Sequence, residues 1–83
     1  IFKEKLPCRA RTIAPLLRLI RRIYRDERID LTDGVKVLWP DRWLQVRGSN
    51  TEPILRIAAE APAESEAREL VEGVLEYLRP RAE

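Results

Sequence analysis

Two stretches of the chain repeat apolar residues with a helical period. The first carries arginines on its opposite side, and its apolar stripe comprises Ile13, Leu16, Leu17, Ile20, Ile23 and Tyr24. The second stripe comprises Ala67, Leu70, Val71, Val74, Leu75 and Leu78. Such spacing predicts two amphipathic helices. We expect Thr12 to cap the first helix and Pro15 to lie within its first turn, while Pro80 ends the second.

Between these helices the period shortens to that of strands. Asp33-Gly34 is a turn signal, and the sequence VKVLW after it alternates apolar and polar residues. Pro40-Asp41 suits the centre of a tight turn before the sequence WLQV. We therefore predict a hairpin in which residues 35–39 pair with residues 43–46.

Two further strands complete the predicted sheet. The sequence ILRIAAEA places Leu55, Ile57 and Ala59 on one face and Arg56 on the other. Residues 3–8 are short and partly apolar, and Pro7 suits an edge strand or a strand end. The predicted order is β-α-β-β-β-α. It defines an α+β fold in which two helices cover one face of a small, mostly antiparallel sheet.

Length and composition restrict the class of protein. The chain has 83 residues, of which 45% are hydrophobic, and this predicts one small globular domain over residues 1–83. No apolar run approaches the roughly 20 residues of a membrane span, so no membrane association is expected. Cys8 is the only cysteine, which favours a reducing compartment and a cytoplasmic location. Because the chain begins at Ile1 without methionine, we expect a fragment of a longer protein.

The charge is unevenly distributed along the chain. Residues 1–28 carry nine basic and three acidic side chains, whereas residues 60–83 carry three basic and seven acidic ones. A basic end can indicate nucleic-acid binding. However, no aromatic residues alternate with the arginines to stack on bases, so two solvated helix faces of opposite charge are the favoured interpretation and no nucleic-acid partner is expected.

The sequence VRGSNTEPILR concentrates polar donors between two apolar runs. Arg47 offers a planar fork suited to a phosphate, and Gly48 is expected to adopt a backbone conformation closed to other residues. Hydroxyls, a carboxamide and successive backbone N–H groups follow at Ser49, Asn50 and Thr51. This arrangement outlines a phosphate-binding loop. From the spacing alone, however, a tight polar turn whose side chains cap their own backbone is the favoured interpretation. Glu52 opposes an anion unless it pairs with an arginine such as Arg56.

The segment DGVKVLWPDRWLQVRGSNTEPILRIAAEA resembles the C-terminal domain of the α-D-phosphohexomutases, which comprise phosphomannomutases, phosphoglucomutases and phosphoglucosamine mutases. The resemblance is strong over residues 29–78 and looser before them. Two positions depart from the family pattern, since Arg42 replaces a usual glycine and Gly48 a more frequent proline or alanine. The matching residues are Asp33, Gly34, Trp43, Arg47, Ser49, Asn50, Thr51, Glu52, Pro53, Arg56, Glu60 and Ala61.

This resemblance implies both a fold and a function. The fold would be TATA-box-binding-protein-like, and the substrate phosphate would be held by the loop residues Arg47, Gly48, Ser49, Asn50 and Thr51. The parent would be a four-domain, Mg²⁺-dependent enzyme that interconverts hexose 6-phosphate and hexose 1-phosphate. Its phosphoserine, metal ligands and sugar-selecting loop would lie in the other domains, so this chain is expected to contain no catalytic or metal-binding residue and to be inactive alone.

Three alternatives remain at this point. The parent's substrate could be a phosphorylated glucosamine, although the SNT form of the loop leans toward phosphomannomutase and phosphoglucomutase. The domain could instead be a non-enzymatic module that binds nucleic acid through its basic helix. It could also be an interaction domain whose charged helices dock a partner protein.

Overall fold

The computed structural model describes residues 1–82 as an α+β domain with one five-stranded antiparallel sheet and two helices. The predicted fold class is thus confirmed. The elements are β1 (Phe2–Pro7), α1 (Ala10–Ile23), β2 (Arg28–Asp30), β3 (Val35–Leu38), β4 (Trp43–Gly48), β5 (Ile54–Glu60) and α2 (Glu64–Leu78). The strands lie in the order β1-β5-β4-β3-β2, and a short 3-10 turn, Arg79–Arg81, follows α2.

The core lies between the two helices and one face of the sheet. The strands largely alternate buried and accessible residues, and their buried members are Leu6, Val35, Val37, Leu44, Val46, Ile54, Leu55, Ile57 and Ala59. The helices contribute Leu16, Ile20, Ala67, Val71, Val74, Leu75 and Leu78. Both predicted stripes are therefore confirmed except at Ile23, the last residue of α1, which is 43% exposed. Within residues 1–82, no helix combines the length and apolarity needed to cross a bilayer.

The start of α1 differs from the prediction. Arg9 has extended backbone angles and occupies the N-cap position, and the Thr12 N–H donates to its carbonyl oxygen at 2.9 Å. Thr12 therefore lies inside the first turn instead of capping it. Pro15 is displaced into the second turn, where it removes the hydrogen bond to the carbonyl of Arg11. The prediction of Thr12 as the cap is wrong because α1 begins at Ala10, before its apolar stripe begins at Ile13.

The predicted hairpin is confirmed in register. Val35 pairs with Val46 and Leu38 pairs with Trp43, and the Trp39 N–H donates to the Arg42 carbonyl at 2.9 Å around the Pro40-Asp41 turn. The strand β2 was not predicted. It has only three residues and pairs with β3 at the sheet edge, so it is too short to show an alternating pattern.

Neither helix of residues 1–82 packs on the second face of the sheet, which is here called the open face. Alternation turns polar and basic side chains toward it because the apolar residues of the same strands face the core. Its members include Lys3, Lys5, Lys36, Trp43, Gln45, Arg47, Arg56 and Ala58. The open face ends at the turn between β4 and β5, which contains the predicted phosphate loop.

Candidate functional site

The candidate loop, residues 49–53, is a tight connection between two paired strands. Gly48 is the last residue of β4 and pairs with Leu55. The Ser49 N–H donates to the Ile54 carbonyl at 3.1 Å, and the Ile54 N–H donates to the Glu52 carbonyl at 2.9 Å. These bonds fix both ends of the loop to the sheet, so its polar side chains project from a defined base.

Ser49 organises the turn itself. Its Oγ accepts hydrogen bonds from the N–H groups of Thr51 and Glu52, both at 3.3 Å, and lies 3.4 Å from the Thr51 hydroxyl. This is the self-capping turn considered as the alternative to an anion site. The two interpretations are compatible, because bonds of 3.3 Å are long and an anion competes well for such donors. Among the described residues, the Asn50 N–H has no acceptor, and the Asn50 and Thr51 side chains are exposed.

Arg47 lies on the open face beside the loop, as the strand alternation predicted. Its side chain is 44% exposed, and its Nη1 donates to Asp33 Oδ2 at 3.4 Å. A long, exposed ion pair of this kind contributes little to stability. A guanidinium has five N–H donors, and among residues 1–82 only one of those of Arg47 has a partner, so the others can bind a ligand.

Arg56 and Glu52 form the ion pair expected from the sequence, at 3.5 Å between Nη2 and Oε1. The pairing partly neutralises the Glu52 carboxylate and so reduces its repulsion toward an anion. Arg56 also pairs directly with Arg47 in the strand register. Sequence reasoning did not place Arg56 among the site residues. The signal that would have done so is its position on the same face of the neighbouring strand.

The special backbone conformation predicted for Gly48 is wrong. Among residues 1–82, the one residue with a positive φ is Gly34, at 68°, so Gly48 does not use the left-handed region. What distinguishes the position is the close approach of α1: an added Cβ would lie 2.8 Å from Cγ2 of Ile13, so a larger residue would require Ile13 to shift. The loop base is therefore held against α1, which the letters RGSNTEP cannot reveal.

Arg42, the departure from the family pattern, ties the β3–β4 turn to the start of α2. It donates to both Asp41 carboxylate oxygens and to Glu66 Oε2, each at 3.0 Å. The hydrogen bonds from Arg42 lower the pKa of Asp41, and those to Asp41 and Glu66 raise the pKa of Arg42. This network lies at the opposite end of β4 from the loop and does not form part of it.

Other reactive groups lie outside the loop. Burial raises the pKa of the Cys8 thiol, which packs in the core cluster. No group of three or more histidine, cysteine or acidic side chains in residues 1–82 is placed to hold a metal ion. The polar chemistry of the candidate site therefore rests on the guanidinium, hydroxyl, amide and backbone donors of residues 47–51.

Comparison with known proteins gives a consistent result. A family model described as the phosphoglucomutase/phosphomannomutase C-terminal domain matches residues 6–76. The chain is 36% identical over 81 residues to a probable phosphoglucosamine mutase of Methanopyrus kandleri, which covers 95% of the chain and 18% of that protein. It is 53% identical over 45 residues to a phosphoglucomutase/phosphomannomutase of Thermococcus kodakarensis, covering 54% of the chain and 10% of that protein. The chain thus spans less than a fifth of the length of these relatives.

Proposed function

Because the chain belongs to the phosphoglucomutase/phosphomannomutase C-terminal domain family, we propose that residues 47–51 bind the phosphate group of a hexose phosphate. The domain would serve this role within a longer enzyme that interconverts hexose 6-phosphate and hexose 1-phosphate. Its partners are the substrate and the other domains of the same parent protein.

The observation that carries the proposal is the placement of Arg47 beside the loop donors. The Asn50 N–H and the exposed side chains of Asn50 and Thr51 lie on the turn that continues directly from the arginine strand. The nearest acids are already engaged, since Asp33 pairs with Arg47 and Glu52 pairs with Arg56. A phosphate displaces the weak Asp33 contact and gains a charged fork together with neutral donors.

The contribution of the loop to catalysis is positioning. In a mutase that accepts either phosphate, the loop holds the group that does not react and fixes the sugar relative to the reacting centre. Holding a substrate in reactive geometry lowers the activation barrier without any bond being formed by the holding residues. Mg²⁺ and the reacting serine would come from parts of the parent outside this chain, so the chain alone is expected to show no turnover.

The names of the relatives leave two substrate classes. One similar protein is named as a phosphoglucomutase/phosphomannomutase and another as a probable phosphoglucosamine mutase. We propose the phosphate of a hexose without an amino group as the first candidate and a hexosamine phosphate as the second. Assays of the full-length protein with glucose, mannose and glucosamine phosphates, at equal concentrations, distinguish the two by their kcat/KM values.

Titration of the 83-residue chain with inorganic phosphate tests the binding role directly. We expect amide NMR shifts at residues 47–51 with a dissociation constant in the millimolar range, equivalent to about 4 kcal/mol. Arg47→Gln should abolish these shifts, whereas Arg21→Gln, which removes the same charge from α1, should leave them unchanged. Shifts confined to residues 18–25 would contradict the proposal and identify the basic helix as the anion site.

A further inference from the structure

The open face contains a trough beside the phosphate loop, and the two share only Arg47. It has a volume of about 590 Å³ and is lined by residues of β1, β4 and β5 that include Lys3, Lys5, Trp43, Gln45, Arg56 and Ala58. Arg47 forms its border with the loop. Small-molecule sites commonly have volumes of roughly 300–1,000 Å³, so the trough is large enough for a monosaccharide derivative.

One row of the trough places like charges directly opposite each other. Arg56 on β5 pairs in register with Lys5 on β1 and with Arg47 on β4. Like charges at such positions destabilise a sheet, and Glu52 and Asp33 compensate only the two arginines. Lys5 forms no ion pair with any carboxylate in residues 1–82. An anion bound over this row would relieve the repulsion.

The next row adds a second unpaired cation above a flat floor. Lys3 and Gln45 flank Ala58 in register, and the Ala58 methyl group leaves open space between them. Lys3, like Lys5, lacks an ion-pair partner among the described residues. The acid between the two lysines, Glu4, also lines the trough. It pairs in register with buried Ile57, and strand alternation turns its side chain toward the face opposite the lysines.

The end of the trough offers contacts for a ring and its hydroxyl groups. The Trp43 indole N–H donates to Glu60 Oε1 at 3.0 Å, which fixes the indole, and Lys36 Nζ lies 4.6 Å from the ring centroid. The Gln45 side-chain amide donates to the Asp33 carbonyl at 3.0 Å, which leaves its side-chain oxygen as an acceptor. The trough thus combines the ammonium groups of Lys3 and Lys5, which have no ion-pair partner within residues 1–82, with the methyl group of Ala58 and the fixed indole of Trp43. This combination suits a small phosphorylated sugar.

We propose that this trough is a second ligand site, in which Lys3 and Lys5 bind the phosphate of a phosphosugar whose ring lies over Ala58 beside Trp43. Attraction between the lysines and the phosphate supplies the affinity, and the alanine floor and the indole favour a ring over a free anion. The site shares Arg47 with the proposed phosphate loop, but its phosphate ligands, Lys3 and Lys5, lie on β1. It therefore does not depend on phosphate binding by residues 48–51.

NMR titration of the 83-residue chain with glucose 6-phosphate, inorganic phosphate and glucose tests the trough. Glucose 6-phosphate should shift the Ala58 amide and the Trp43 indole signals, whereas glucose should not, and inorganic phosphate should do so more weakly. The double variant Lys3→Gln/Lys5→Gln should raise the dissociation constant measured from these signals about fivefold, as expected for two exposed ionic contacts.

The matched control is Arg21→Gln/Arg22→Gln, which removes two charges from α1 and should change that constant less than twofold, because screening limits long-range effects. Equal effects of the two double variants, or trough signals that stay fixed while residues 47–51 respond, would overturn the proposal. Equal shifts from inorganic phosphate would overturn the sugar assignment. Arg47 lines both sites, so residues 48–51 report on the loop alone. Trough shifts without any response of residues 48–51 would support the trough and refute the loop function, so the two proposals fail separately.

Discussion

The position of Arg47 depends on a glycine outside the candidate loop. Gly34 adopts a φ of 68°, and its α-carbon faces the backbone of β4. A Cβ added to Gly34 would collide with the Val46 carbonyl and would lie 2.7 Å from Cβ of Arg47. The glycine therefore allows the Asp33-Gly34 turn to pack against the strand that carries the arginine.

Substituting Gly34 should thus damage the domain more than substituting most exposed residues. Gly34→Ala combines an unfavourable backbone conformation with contact against rigid backbone atoms, and we expect a loss of at least about 2 kcal/mol in the free energy of unfolding. Urea denaturation followed by tryptophan fluorescence measures it. A variant as stable as the parent chain would show that the turn does not pack against β4 as described.

The two glycines at the site illustrate what a sequence pattern conveys about single residues. The Asp-Gly pair at Asp33-Gly34 was correctly interpreted as a turn, because that dipeptide fits a local conformational requirement. Gly48 was assigned the same kind of freedom, but its requirement is the approach of Ile13, which lies far away in the sequence. A short sequence motif predicts the backbone preferences of its own residues, whereas contacts between residues far apart in the sequence can be identified only from the folded structure.

The helices and long strands were predictable because each buries one regular face. The stripe of α2 and the alternation in β3, β4 and β5 match the buried residues of the structure. Two features lacked such a signal. The strand β2 is too short for a pattern, and α1 begins at Ala10, ahead of its apolar stripe and without a side-chain cap.

The glycine inside α2 offers a test of this helix as an element. Gly73 is exposed, and a Cβ added to it would have no atom within 4 Å. Gly73→Ala should therefore stabilise the domain by about 0.5–1 kcal/mol, through the higher helix propensity of alanine. Thermal unfolding followed by circular dichroism measures the change. A destabilised variant would mean that the exposed side of α2 meets a surface that the structure of residues 1–82 does not contain.

The two faces of the sheet have different roles in the domain as a whole: one packs the hydrophobic core, and the other carries the candidate binding residues. One face of the sheet is buried by both helices, while the open face and the β4–β5 turn display the basic and hydroxyl side chains. The fold class and the position of the loop followed from the sequence. The ion pairs of Arg47 with Asp33 and of Arg56 with Glu52, and the trough between β1 and β4, depend on which strands are neighbours. Strand order is a property of the assembled sheet.

Steady-state kinetics of the longer mutase that is proposed to contain this domain test the central claim most directly. Arg47→Lys keeps the charge but loses the planar fork, and the loss of one charge-assisted contact of roughly 1.5–3 kcal/mol should lower kcat/KM for hexose phosphates about ten- to a hundredfold. Because the role proposed for the loop is to position the substrate, kcat should fall as well. The same substitution on α1, Arg21→Lys, should leave both constants unchanged. If Arg47→Lys retained wild-type kinetics while Arg21→Lys lost activity, the phosphate-binding role of residues 47–51 would be contradicted.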